Sequence, residues 1–198
     1  EFHKTGAKLF VQLTAGFGRS FTISEMMEKL YTNKVLRAVS KPFMDLDKIT
    51  ATASPSPNRW SDKVPSREIT KPEIDQIIEL FAESSRLLKE AGVDGVEVHA
   101  VHEGYLLDQF ALKYVNKRTD EYGGSLENRT RILREVVEAI RAACGRDFPL
   151  MFRISLEEYI GREGYHADTG IQICQMLASW GVDAINVTAS GTDSKLSQ

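Results

Sequence analysis

Within the seven residues from 99 to 105, His99, His102, Glu103 and Tyr105 bring together two imidazoles, a carboxylate and a phenol. Imidazole N–H groups donate hydrogen bonds to a substrate oxygen. A phenol, with an ordinary pKa of about 10, is protonated at neutral pH and can deliver a proton. Paired histidines also bind metals, but a three-residue spacing is not the i, i+4 pair of a helical zinc site. No third ligand is obvious, so no metal is expected. Gln12 and Arg153 are each polar inside an apolar run, KLFVQL and PLMFRIS. A guanidinium stays charged and can stabilise an anion that develops during a reaction. The structural alternatives are inward side chains satisfied by a neighbouring layer for Gln12 and Arg153, and a packed aromatic for Tyr105. Neither a GxSxG elbow nor a P-loop occurs, so esterase and phosphoryl-transfer chemistry have no motif support.

These residues need elements to aim them. Lys8–Leu13 reads as a buried strand stopped by Thr14, Ala15 and Gly16. Thr22–Pro72 reads as irregular, with one helical stretch at about Ser24–Val39 and a proline-rich loop long enough to suggest function or a lid. Thr70-Lys71-Pro72-Glu73 starts a helix that runs to Gly92. Val93–His99 alternates as a strand, Ser125–Ala143 forms an amphipathic helix, and Pro149–Ser155 is a strand. Asp168–Trp180 is a third long helix ending at Gly181, and Val182–Val187 is a strand. Strand, loop and helix in repetition specify an α/β fold with a parallel sheet. Two helix-to-strand junctions echo each other, KEAGVDGVEV and ASWGVDAINV. That echo favours a closed barrel, of which four strands make half of the eight in a TIM barrel. Gly16-Phe17-Gly18 lacks the third glycine of a dinucleotide-binding turn, so a Rossmann sheet is the weaker reading. In a parallel barrel the site lies at the carboxyl ends of the strands. That rule selects Gln12, Thr14 and Arg19, then His99, His102, Glu103 and Tyr105. It next selects Arg153, Ser155, Glu157, Glu158 and Tyr159, and finally Asn186, Thr188 and Ser190.

The 198 residues carry a net charge of -3, which gives no electrostatic reason to expect nucleic acid or an anionic membrane. No apolar run reaches the roughly 20 residues of a membrane span, and no secretory signal opens the chain. Cys144 and Cys174 fall on helices without a CxxC and read as small buried hydrophobes. A cytoplasmic location is therefore expected. The chain opens on Glu1, close to a strand, and ends soon after another, so it reads as an excerpt.

Gly95–Phe110 (GVEVHAVHEGYLLDQF) followed by Asn116–Arg131 (NKRTDEYGGSLENRTR) closely resembles the old yellow enzyme family. Within it, the likeness is to enoate reductases, 2,4-dienoyl-CoA reductases and bile-acid-inducible oxidoreductases. QLTAGFGR (Gln12–Arg19) and NRW (Asn58–Trp60) ahead of REITKPEI fit the same branch. The resemblance implies a partial TIM (β/α)8 barrel, roughly strands three to six with their helices, filling residues 1–198 as one segment truncated at both ends. It also implies FMN as cofactor and NAD(P)H as electron source. Gln12 would bond the pyrimidine edge of FMN, and Arg153 would lie near N1 and O2 and stabilise the reduced flavin. His99, with His102, would hold the carbonyl oxygen of a small activated alkene, and Tyr105 would protonate its α-carbon. Glu103 is extra relative to the commonest family pattern, so either His102 or Glu103 fills the second oxygen-binding slot. Glu103 and Arg19 are also candidates for substrate binding. QLTAGFGR lacks the histidine many relatives carry after the glutamine.

The resemblance implies an FMN phosphate site on the last two barrel strands and, as in the large members, an iron–sulfur cluster after the barrel, both on segments beyond these residues, as any FAD site would be. The expectation is that the fragment alone binds FMN poorly, is inactive, and exposes sheet edges prone to homo-oligomerise or aggregate. The alternatives are an amine dehydrogenase or NADH oxidase on the same barrel, or a catalytically silent half-barrel serving as an interaction module.

Overall fold

The computed structural model describes residues 2–101, 104–157, 159, 164 and 166–188. Four parallel strands lie in the order of the chain: β1 (Phe10–Leu13), β2 (Gly95–His99), β3 (Leu150–Ser155) and β4 (Ala184–Thr188). The helices are α1 (Glu25–Thr32), α2 (Lys34–Ser40), α3 (Leu46–Ile49), α4 (Lys71–Glu90), α5 (Leu106–Ala111), α6 (Leu126–Arg129), α7 (Arg131–Cys144) and α8 (Ala167–Ser179). A sheet whose neighbours are consecutive and parallel, each joined through a helical crossover, is the arrangement of a singly wound barrel.

Strand periodicity separates two faces. Val96 and Val98 of β2 and Leu150, Phe152 and Ile154 of β3 are fully buried under the helices. There they meet Ile74 and Phe81 of α4 and Ile132, Val136 and Ile140 of α7, in one continuous core. Burying each such side chain stabilises the fold by about 1.5–3 kcal/mol. The opposite face, the inside of the barrel, carries Gln12, Glu97, His99, Met151, Arg153 and Asn186. Gln12 pairs in register with Glu97, and His99 with Arg153, which in turn faces Asn186.

The echoed junctions have one physical cause. Asp94 accepts the Leu9 N–H through Oδ2 at 2.8 Å and donates its own N–H to the Leu9 carbonyl at 2.9 Å. Asp183 does the same to Leu150, at 2.8 and 2.9 Å. Each aspartate thus ties the start of its own strand to the start of the preceding one, and repetition of the residue reflects repetition of the packing.

Three sequence expectations change. Ser24–Val39 is two helices, because Asn33 ends α1 and turns its Oδ1 to the Val35 and Leu36 N–H groups at the start of α2. Ser125–Ala143 likewise divides at Thr130 into α6 and α7. The third is α5, which sequence periodicity did not announce: all six of its residues are buried, including Asp108 and Gln109, so it has no polar face. Cys144 is buried and Cys174 half-buried, both as free thiols. Among the described residues no helix is long and apolar enough to cross a membrane.

Candidate active site

The carboxyl ends of β1, β2 and β3 bring together most of the residues singled out from sequence. On the inner face, Gln12 Nε2 donates to Glu97 Oε1 at 2.5 Å, and Asn186 Nδ2 donates to Glu97 Oε2 at 3.0 Å. A carboxylate only accepts, so it fixes which end of each amide faces it. The Gln12 carbonyl oxygen is thereby left facing away from Glu97. One step along the sheet, Arg153 is half-buried between His99 and Asn186, and its Nε is buried with no hydrogen-bond partner among the described residues. A buried guanidinium N–H without an acceptor is costly, and an acceptor on a ligand at this face would satisfy it.

His99 closes β2 and is 7% exposed. Its ring meets the Tyr105 ring edge-on, with centroids 4.7 Å apart and planes at 82°. On the other side of Tyr105 stands Phe17, from the loop after β1, at 4.6 Å and 72°. Tyr105 is extended backbone immediately before α5, so the helix start sets where its phenol stands. The preceding Gly104 has φ of 72°, which a side chain would strain, and its N–H donates to Asp108 Oδ2 at 2.6 Å. Arg19 lies in the same β1 loop, its N–H bonded to Gln109 Oε1 and its carbonyl to the Arg59 N–H. Ser155 and Thr188 end their strands side by side. Glu157 turns away from the mouth toward α8, pairing with His166 at 2.8 Å. His102, Glu103, Glu158 and Ser190 lie outside the described residues.

Two participants were missed from sequence. Glu97 shares its strand parity with His99, which was the available signal. Gln109 is a polar residue in a run of buried ones, a signal readable only once α5 is known. A separate apolar cleft of about 410 Å³ lies between the β1 loop and α4, lined by Phe17, Phe21, Ile69, Ile77 and Leu80. Gln12, His99, Tyr105 and Arg153 do not line it, and it adjoins the β1 edge of the sheet. The convergence of polar groups, rather than this cleft, marks the site. Among the described residues no group of three or more histidine, cysteine or acidic side chains could hold a metal.

The donor set fits a flavin edge. An isoalloxazine pyrimidine ring presents both N–H donors and carbonyl acceptors, and the inner face offers an amide oxygen on Gln12 and an unsatisfied N–H on Arg153. The model of the NADH:flavin oxidoreductase / NADH oxidase family matches residues 1–192. Cinnamate reductase of Clostridium sporogenes is 40% identical over 97% of this chain, which spans only 28% of that enzyme. A 2-naphthoyl-CoA reductase complex superposes with a TM-score of 0.63 at 35% identity, covering 73% of this chain and 21% of that one. Histamine dehydrogenase from Rhizobium sp. 4-9 gives 0.64 at 33% identity, over 70% of this chain and 20% of the other. The chain therefore belongs to the NADH:flavin oxidoreductase / NADH oxidase family, that of the old yellow enzyme barrels.

Proposed function

We propose that these residues form the substrate-oxygen clamp, the proton donor and one edge of the flavin site in an FMN-dependent reductase of activated C=C bonds. The observation that carries this reading is the seating of Tyr105 against His99, at 4.7 Å, beside the inward Arg153. A phenol next to an oxygen-binding imidazole is what addition across a polarised alkene requires. The resemblance to cinnamate reductase supports an enoate-type substrate.

Gln12 and Arg153 would hold the pyrimidine edge of FMN, which, when bound, supplies hydride and is recharged by NAD(P)H. His99 donates to the carbonyl or carboxylate oxygen of the substrate and draws electron density from the β-carbon. Tyr105 gives its phenolic proton to the α-carbon and recovers one from water. The fixed cation of Arg153 favours an electron-rich flavin edge. Within this reading the four strands act as part of an eight-stranded barrel whose other strands bind the FMN phosphate. The 198-residue chain alone is inactive, FAD or an iron–sulfur cluster would be held elsewhere, and the compartment is cytoplasmic.

The test uses the full-length flavoprotein that carries these residues, followed in two half-reactions under anaerobic conditions. Tyr105→Phe is expected to slow reoxidation of the flavin by cinnamate by roughly 10²-fold or more, while reduction by NAD(P)H stays within about 2-fold. Equal loss in both halves refutes the proton-donor role. The amine-dehydrogenase reading, favoured by the likeness to histamine dehydrogenase, predicts turnover of an amine and none of cinnamate.

A further inference from the structure

Gln109 sits at the start of the second half of α5 and is 0% exposed. Its amide is hydrogen-bonded at every available position. Nε2 donates to the Phe17 carbonyl at 2.9 Å and to the Gly104 carbonyl at 2.5 Å. Oε1 accepts from the Arg19 N–H at 3.2 Å and from Thr52 Oγ1 at 2.6 Å. An amide has two donors and two acceptor sites, so this group is saturated. The approach is close enough that a Cβ on Gly18 would stand 2.3 Å from Oε1, which explains glycine there.

The four partners belong to three separate segments: the loop after β1, the interior of the long connection at Thr52, and the loop after β2. Two of them bracket Tyr105. Phe17 packs its ring on the phenol, and Gly104 is the residue before it. Further bonds support the same join: Ser20 Oγ donates to the Gly104 carbonyl at 2.8 Å, and the Leu106 N–H donates to the Gly16 carbonyl at 3.1 Å. Gln109 thus braces both the backbone that carries Tyr105 and the backbone of Phe17, whose ring packs on the phenol. In a dry interior such a network is stiff: the Phe17 and Gly104 carbonyls each accept a second bond from Ser20, so loss of the Gln109 amide loosens the join without leaving them bare.

We propose that Gln109 is a positioning residue for the phenol of Tyr105, coupling the loop after β1 and the Thr52 segment to the proton-donor loop. Gln109 touches neither substrate nor flavin in this assignment. It acts by holding the phenolic oxygen in line with the β2 mouth, where a displacement of about 1 Å costs on the order of 10²-fold in rate. The inference rests on Tyr105 being the proton donor, as proposed above.

The experiment is a double-mutant cycle in the full-length holoenzyme. Gln109→Leu is expected to slow flavin reoxidation by cinnamate roughly 10- to 100-fold, with reduction by NAD(P)H unchanged and flavin content retained. Combined with Tyr105→Phe, it should add less than about 2-fold to the loss that Tyr105→Phe causes alone. Thr52→Val removes one of the four bonds and should give the same selective loss to a smaller extent, which keeps the test open if Gln109→Leu fails to fold. The proposal is overturned if the Gln109 or Thr52 variant slows both half-reactions equally, or keeps its full effect beside Tyr105→Phe. If instead Tyr105→Phe alone leaves reoxidation unchanged, the proton-donor assignment fails and takes this one with it.

Discussion

Glu97 shows how one side chain can decide the chemistry of its neighbours. It accepts from Gln12 on the neighbouring β1 and from Asn186 on β4, two strands away on the other side, so it sets the orientation of two amides on the inner face. A carboxylate cannot donate, and so the Gln12 oxygen, not its nitrogen, is presented to a ligand N–H. Glu97→Gln keeps the shape but removes that constraint and weakens two charge-assisted bonds. FMN affinity in the full-length protein should fall by roughly 10-fold, read by flavin fluorescence titration. An unchanged dissociation constant would show that Gln12 is oriented by something else. Arg153→Lys tests the neighbouring cation. A lysine ammonium keeps the charge but loses the planar fork and the buried Nε–H. The expected outcome is weaker FMN binding, by a factor of about 10, with the protein still folded.

At the scale of elements, much of this architecture was legible from the sequence, and the exceptions share a cause. The strands and the helices α4, α7 and α8 carry a single buried face, so periodicity announces them. The buried α5 lacks such contrast, and α1–α2 and α6–α7 divide at single residues, Asn33 and Thr130, whose effect on the backbone periodicity cannot resolve. In the site, Gln12 and Arg153 were visible as polar interruptions of apolar runs. Glu97 was not, because an alternating strand disguises an inward charge as an outward one. The start of α4 shows a readable signal with a measurable consequence. Glu73 accepts from Arg67 Nη2 at 2.5 Å, and from the Thr70 N–H and hydroxyl at 2.9 and 2.8 Å. The Arg67 guanidinium, with help from Thr70, holds the Glu73 pKa down to about 2. A depressed carboxylate contributes stability that is complete above its unfolded value, about 4.3, and is lost as pH falls toward 2. Glu73→Gln should therefore cost about 1 kcal/mol at pH 7, and the difference from wild type should shrink on going from pH 5 to pH 2.5. Urea unfolding midpoints at the two pH values provide the check, and a difference that did not narrow would assign the effect to geometry and not to charge.

At the scale of the whole molecule, the decisive fact is that among the described residues the sheet has two unshared sides. Among the described residues β1 and β4 each pair with one strand only, whereas a closed (β/α)8 barrel leaves none with fewer than two. The consequences appear in exposure. Leu80 on α4 is 55% exposed beside the β1 edge, and Val187 on β4 is 50% exposed at the other. Glu97 and Arg153 lie on an inner face that four strands cover from one side only. The low dielectric that strengthens a flavin contact needs that face enclosed, and the backbone N–H groups that grip a phosphate belong to the loops after strands seven and eight of such barrels. A 198-residue polypeptide of this sequence is therefore expected to purify without bound FMN and to self-associate in size-exclusion chromatography through its unpaired strands. Supplying the remaining barrel strands on the same polypeptide should restore a monodisperse, yellow protein. Stoichiometric flavin absorbance in the 198-residue chain alone would mean that the edge held by Gln12 and Arg153 suffices for binding, and that closure of the barrel serves catalysis rather than affinity.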